Sequence, residues 1–224
     1  HNSGRTLASL NENQKLDPAS ITKLMTAYAV FRSVKDKRIG LEDPVVISEA
    51  AWCTGGSRSF VDLGDRVPLS VLLKGMIIQS GNDASVALAE HVSGSESAFA
   101  DLMNQYAKEL GMGSTSYRNA TGLPDPEHYT TATDILKLAN AIIREFPEYY
   151  RWYSEKEFTW NGITQSNRNG LLWRDSTVDG MKTGYTEAAG YCLIASSQRD
   201  FPNGKRRLIS VVLGTASKEA RAND

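Results

Sequence analysis

Apolar residues keep a helical spacing through the first two thirds of this chain and then change period. Between Leu69 and Gln79 they stand at positions 69, 71, 72, 73, 76, 77 and 78. That is too many for a single stripe, so the pattern predicts a helix buried on most sides. It stops at Ser80-Gly81-Asn82. Further helices are predicted from Asp83 to about Val92 and from Glu96 to Leu110, the latter ended by Gly111 and Gly113. Upstream, Asp17-Pro18 opens a helix from Ser20 to about Ser33, and downstream Thr131 or Thr133 can cap one running to Arg144. After Pro147 the signals are those of strands. Phe158-Thr159-Trp160 precedes the hairpin turn Asn161-Gly162, and polar Gln165 to Asn169 leads into Leu171-Leu172-Trp173. Strands follow at Val178–Thr183, Gly190–Ser197 and Arg207–Gly214. Short strands at Arg5–Ser9 and Val45-Val46-Ile47 and a closing helix from Ser217 complete the series. Asn119 to Tyr129 contains Gly122, Pro124 and Pro126 and reads as a loop, long enough inside a compact domain to carry function.

That order predicts an α/β chain of the α+β kind, with an antiparallel sheet built from both chain ends, flanked by helices, beside a mostly helical lobe. The whole of 1–224 is expected to be one domain, its sheet lobe at about 1–19 and 155–224 and its helical lobe at about 20–154. Composition agrees with a globular protein: 41% of the 224 residues are hydrophobic and 23% charged. The 25 Lys and Arg nearly cancel the 26 Asp and Glu, so no global field points to nucleic acid or an anionic membrane. No apolar run has the length of a membrane span and no signal peptide precedes His1, though a processed chain would look the same. Both ends read as cut, the first as a turn at His1–Gly4 with no strand before it and the last as a helix stopped early. Cys53 and Cys192 leave one bridge or two thiols open. With His1, His91 and His128 far apart in sequence, neither a metal nor another cofactor is expected.

Chemistry enters where the first long helix begins. Ser20 and Lys23 are three residues apart, so a helix sets them side by side. A hydroxyl is a poor nucleophile at neutral pH, and an adjacent amine driven into its neutral form supplies the missing base. By itself a Ser-x-x-Lys arises roughly once in a chain of this length and is more often helix surface. Two more motifs change that balance. Ser80-Gly81-Asn82 lies in the turn between two buried helices, and Lys182-Thr183-Gly184 ends a strand at or near a sheet edge. Each tripeptide turns up by chance in roughly a few chains in a hundred. Taken singly, the first is a helix-capping turn and the second a plain strand end.

Together, in this order, Ser-x-x-Lys, Ser-x-Asn and Lys-Thr-Gly resemble the signature of penicillin-binding proteins and serine beta-lactamases. The similarity is closer still. Pro18–Thr26, Gly75–Ala84, Trp160–Trp173 and Val178–Thr186 look like D-alanyl-D-alanine carboxypeptidases of the penicillin-binding protein 5 type, and the likeness covers nearly the whole chain. It implies the beta-lactamase and DD-peptidase fold, and a serine DD-carboxypeptidase that removes the terminal D-alanine from peptidoglycan pentapeptide stems and is acylated by beta-lactams. The implied setting is the bacterial periplasm or the outer face of the cytoplasmic membrane. Ser20 is then the nucleophile, and Lys23, its pKa lowered, takes the serine proton. Ser80 relays a proton toward the leaving amine, Asn82 hydrogen-bonds the peptide and Lys23, and Lys182 adds positive charge. Thr183 offers a hydroxyl to the substrate carboxylate, and Gly184 lets substrate lie close to the strand. The backbone N–H groups of Ser20 and Tyr185 form the implied oxyanion hole. Arg221 aligns with a family arginine that holds the terminal carboxylate, a surface arginine being the alternative. Arg168 and His128 complete the substrate side, Arg168 expected more as an internal tether and His128 as an anchor of the loop at the cleft rim.

Neighbouring activities stay open: a DD-endopeptidase, a serine beta-lactamase, and a non-enzymatic beta-lactam sensor. The beta-lactamase needs an efficient deacylating base, and no Glu-x-x-Leu-Asn follows Asn119. The sensor needs a signalling partner, and the full motif set favours an enzyme over it. Departures from the family pattern are Tyr185, where many relatives have His, and a segment Cys53–Phe60 that looks shorter. The beta-rich second domain and amphipathic anchor helix that follow in the family have no counterpart in this sequence, so membrane attachment is expected only through segments outside it.

Overall fold

In the computed structural model, residues 3–223 are described; the turn expected at His1–Gly4 begins outside them. Asp17 sets up the first element. Its Oδ1 accepts the Ala19 N–H at 2.8 Å, and a 3-10 turn, Ala19–Thr22, runs straight into α1 (Lys23–Lys35). Next come β1 (Pro44–Val46), α2 (Glu49–Cys53) and β2 (Arg66–Pro68), with β1 and β2 paired antiparallel. The helix α3 (Leu69–Lys74) continues as a π-helical segment, Gly75–Gln79, before α4 (Asn82–Ser93) and α5 (Glu96–Glu109). After the long loop follow α6 (Ala132–Glu145) and α7 (Pro147–Tyr150). Of the two threonines able to cap α6, Thr131 does so, accepting the Asp134 N–H at 3.1 Å.

The last third holds β3 (Glu157–Trp160), β4 (Ile163–Ser166), α8 (Leu171–Arg174), β5 (Val178–Thr186), β6 (Gly190–Phe201), β7 (Gly204–Thr215) and α9 (Lys218–Asn223). Trp160 pairs with Ile163, so Asn161 and Gly162 make a two-residue turn, both at positive φ (49° and 73°). The main sheet is antiparallel with order β5-β6-β7, which leaves β5 at an edge. The core lies chiefly among the helices. In α1 the side chains from Leu24 to Phe31 are all buried, and in α4 so are those from Asn82 to Ala89. Both helices therefore pack on every side, which their all-round apolar sequence favours over a solvent-facing stripe.

The α+β class and the helical middle are as the pattern predicts, with three corrections. No strand forms at Arg5–Ser9; Leu7 and Leu10 are exposed there, and the sheet takes its three strands from the C-terminal third. A strand needs a partner edge, and this segment has none among the described residues. The hairpin β3–β4, expected within the sheet lobe, is a separate two-stranded sheet docked on the helices, with Gln165 Nε2 donating to Ser59 O at 3.1 Å. Lys182-Thr183-Gly184 sits inside its strand, because pairing with β6 continues through Tyr185 and Thr186. Cys53 and Cys192 are unpaired thiols, the first exposed and the second buried.

Candidate active site

Three separate segments converge on the end of the 3-10 turn. In a 3-10 turn residues i and i+3 eclipse, and the Ala19–Thr22 turn thereby places Lys23 Nζ 2.9 Å from Ser20 Oγ. The same Nζ donates to Asn82 Oδ1 at 2.7 Å and to the Thr121 carbonyl at 2.7 Å. Those two acceptors occupy two of its directions and leave the third for Ser20. The Asn82 amide in turn donates from Nδ2 to Gly55 O at 2.6 Å, so its oxygen is held toward the lysine. From β5, Lys182 Nζ donates to Ser80 Oγ at 2.8 Å and to Thr183 O at 3.1 Å.

Ser20 is half-buried, and it opens on a cleft of about 370 Å³ that is also lined by Asn82, Thr121, Leu123, Arg168 and Tyr185. Ser80, which is buried, has an unusual backbone. It follows the π-helical segment directly and lies in the left-handed region at φ 68°, ψ 32°. Such widened turns concentrate at functional sites. Ala19, just before Ser20, also has positive φ (47°).

Burial dominates the electrostatics. It brings the Lys23 ammonium down to about 7, with Asp83 opposing the shift and Arg168 adding to it. Lys182 is held well below the ordinary lysine value, again first by burial and then by the positive charges of Lys23, Arg168 and Arg221. A lysine near 7 is neutral in a large fraction of molecules at physiological pH, which suits it to accept the serine proton.

The positions singled out in the sequence take different places in the fold. Ser20 and Asn82 meet at the Lys23 amine, and Ser80 meets Lys182. Tyr185 lines the cleft, half-exposed, its ring 4.3 Å from that of Tyr191. Arg168 is fixed by its backbone, whose N–H donates to Ile78 O at 3.3 Å, while its exposed side chain lines the cleft and reaches Gln79 Oε1 at 3.4 Å. Thr183 and Arg221 line an adjoining cavity, and Arg221 Nη1 donates to Gly184 O at 3.1 Å. His128 does not reach substrate space. It is buried, its Nδ1 accepts the Arg118 N–H at 3.1 Å and its Nε2 lies 2.8 Å from Thr22 Oγ1, so it ties the loop to the Ala19–Thr22 turn. Burial lowers its pKa to about 4. A neutral ring whose Nδ1 accepts carries its proton on Nε2 and donates to Thr22. Gly184 also has a different reason from the one expected. A Cβ there would lie 3.0 Å from Pro18 O and 3.2 Å from Ser20 N, so it is the turn carrying Ser20 that needs the missing side chain.

Two contributors carried no side-chain signal or a weak one. Thr121 acts through its backbone carbonyl, presented by a turn in which Asn119 Oδ1 accepts the N–H groups of Thr121 (3.2 Å) and Gly122 (2.8 Å). Asp83 is fully buried, accepts the Ser59 N–H at 2.8 Å and the Ala84 N–H at 2.8 Å, and stitches the Gly55–Ser59 wall to α4. Its adjacency to the Ser-Gly-Asn motif was the only hint.

The chain is similar to known proteins along nearly all of its length. The profile of the D-alanyl-D-alanine carboxypeptidase family, Peptidase S11, matches residues 1–217. The chain is 48% identical over 229 residues to D-alanyl-D-alanine carboxypeptidase DacC of Escherichia coli (strain K12), covering 99% of this chain and 56% of that protein. It superposes on penicillin binding protein 5 from Haemophilus influenzae with TM-score 0.92 and 45% identity, over 97% of this chain and 64% of that one. Penicillin-Binding Protein D2 from Listeria monocytogenes, solved in an ampicillin-bound form, gives TM-score 0.88 at 29% identity, over 100% of this chain and 89% of that one. The chain thus spans rather more than half the length of the curated relatives it matches. With a family profile matched along nearly all of it, Lys23 bonded to Ser20 and Asn82, and Lys182 bonded to Ser80, the chain belongs to the D-alanyl-D-alanine carboxypeptidase family of S11 peptidases.

Proposed function

We propose that this chain is the catalytic domain of an extracytoplasmic serine DD-carboxypeptidase that acts on peptidoglycan stem peptides ending in D-alanyl-D-alanine and is acylated by beta-lactams. The observation that carries the reading is the Lys23 amine, 2.9 Å from Ser20 Oγ with its other bonds committed to Asn82 Oδ1 and Thr121 O. A neutral amine there has two N–H bonds aimed at those oxygens and its lone pair aimed at the serine proton.

The steps follow from the contacts. Ser20 Oγ gives its proton to Lys23 Nζ and adds to the carbonyl carbon between the terminal residues. The developing oxyanion meets the backbone N–H groups of Ser20 and Tyr185. The C–N bond breaks as the departing amine receives a proton through Ser80, whose hydroxyl accepts from Lys182, leaving an ester on Ser20 and free D-alanine. Water then hydrolyses the ester. Thr183 and Arg221, in the adjoining cavity, take the terminal carboxylate. Among the described residues lining the cleft at Ser20 none is a carboxylate, so a deacylating water has no carboxylate base there. That favours a slowly released beta-lactam adduct over a beta-lactamase. No helix among the described residues is long and apolar enough to cross a membrane.

Incubation with a diacyl-D-alanyl-D-alanine peptide is expected to release free D-alanine, and fluorescent penicillin is expected to label the wild type but not Ser20→Ala. Labelling without release would overturn the carboxypeptidase reading, and labelling of the Ser20→Ala protein would overturn the nucleophile.

A further inference from the structure

The proposed acylation uses the backbone of Tyr185 and leaves its ring unassigned. That ring is half-exposed and lines the cleft at Ser20. Tyr185 pairs with Tyr191 across β5 and β6, and the two rings lie 4.3 Å apart at an interplanar angle of 31°, so the exposed ring rests on a second one. The Arg221 guanidinium in turn lies 5.5 Å from the centre of the Tyr191 ring. The residue before Tyr185 sets its distance from the reacting serine, since a Cβ on Gly184 would lie 3.2 Å from Ser20 N. Leu123 lines the same cleft and is 38% exposed. Its backbone is fixed, the N–H donating to Thr121 Oγ1 at 3.2 Å and the carbonyl accepting from Asn119 Nδ2 at 3.0 Å. It follows Gly122, where a Cβ would overlap the Ala19 carbonyl. Two apolar side chains are therefore held on the cleft, each next to a glycine that packs on the Ser20 turn.

We propose that the Tyr185 ring, with Leu123, determines selectivity for the acyl side of the donor and takes an aromatic group there. This rests on the DD-peptidase reading above. In that reading Thr183 meets the terminal carboxylate and the Tyr185 N–H meets the oxyanion. The donor then runs along β5 from leaving group to carbonyl, and the group attached on the acyl side of that carbonyl lies at Tyr185 or beyond it. Side chains alternate along a strand, so those of Thr183 and Tyr185, two residues apart, stand on the same face as the donor. An aromatic acyl-side group removes the exposed surface of Tyr185 and Leu123 from water and can stack on the ring, whereas a methyl group leaves that surface wet.

The test compares two penicillins that share one nucleus and differ only by a phenyl ring, the first with a phenylacetamido side chain and the second with an acetamido one. Second-order acylation rate constants are measured for the wild type, Tyr185→Ala, Tyr185→Phe and Leu123→Ala, with folding checked by thermal melt. The wild type is expected to favour the phenylacetamido compound about tenfold. Tyr185→Ala is expected to bring that ratio to about one and Leu123→Ala to lower it about threefold, while Tyr185→Phe, which keeps the ring and its stack on Tyr191, retains it. Comparing the ratio rather than either rate cancels any shift of the Tyr185 N–H, which acts on both compounds alike. A wild-type ratio near one, or a ratio unmoved in Tyr185→Ala, overturns the subsite and leaves the carboxypeptidase reading in place. A ratio unmoved in Leu123→Ala overturns the leucine's part in it. No acylation of the wild type by either penicillin overturns the reading itself, and the subsite falls with it.

Discussion

Lys23 is where the fold does most to alter a side chain's ordinary chemistry. Burial brings its pKa to about 7, so kcat/KM for acylation is expected to rise with pH through that value as the amine loses its proton. Penicillin acylation rates from pH 5.5 to 8.5, on the order of one and a half units either side of that pKa, check this, and a flat profile would contradict it. Lys23→Arg keeps the charge at every accessible pH and is expected to cost at least about a hundredfold in acylation. The folded pKa lies below the unfolded one, so the unfolded state binds more protons between about 7 and 10.5. The burden of the buried charge is thus complete below about 7 and relieved as pH rises through that window. Asp83 acts in the other direction, since its charge raises the Lys23 pKa. Asp83→Asn is expected to shift the rising limb of the acylation profile to lower pH. Loss of a buried carboxylate that accepts from Ser59 and Ala84 should also lower stability by about 3 kcal/mol, read from denaturant melts. An unshifted limb would separate Asp83 from the lysine altogether.

Among elements, the decisive contact is the approach of edge strand β5 to the 3-10 turn that carries Ser20. Gly184 permits it, because the position of its absent Cβ lies within 3.3 Å of Pro18 O, Ser20 N and Ala19 Cβ. Gly184→Ala is expected to push the turn away from the strand and to lower acylation about a hundredfold, the penalty of a displacement near 1 Å at a reacting centre. Bulk stability should change far less, since the strand keeps its pairing with β6. Acylation kinetics beside a thermal melt distinguish the two effects, and an unimpaired alanine variant would refute the argument. On the other side of the turn, Gly122 has φ 83° and a Cβ there would overlap the Ala19 carbonyl, so the loop and the strand hold the Ser20 turn between two glycines.

Over the whole molecule, the same turn is joined to the long loop by His128, which is neutral in the fold with a pKa of about 4. In the unfolded chain a histidine takes up its proton near 6.5. The stabilising effect of the neutral ring is therefore present above 6.5 and is lost as pH falls from 6.5 through about 4. Denaturant unfolding at the two ends of this window should show a loss on the order of 2–3 kcal/mol from this group. His128→Gln, which does not titrate, should flatten that slope, and an unchanged slope would assign acid sensitivity elsewhere. Much of this architecture was legible in the chain. Helical periodicity marks α1 and the α3–α5 stretch, Asn161-Gly162 marks the hairpin, and the order of Ser-x-x-Lys, Ser-Gly-Asn and Lys-Thr-Gly marks the site, because each depends on local geometry or on residue types that chemistry demands at short spacing. Strand formation at Arg5–Ser9 was misread, since whether an extended segment pairs depends on an edge supplied from elsewhere. The Thr121 carbonyl could not be foreseen, because a backbone oxygen leaves no mark in residue identity. Nor could the placement of Leu123 on the same cleft as Tyr185, which the long loop and β5 bring together from separate parts of the chain. The sequence by itself determined which groups could react, and tertiary packing decided which of them are dry enough, close enough and correctly aimed to do so, because pKa and hydrogen-bond direction depend on surroundings that only the folded chain assembles.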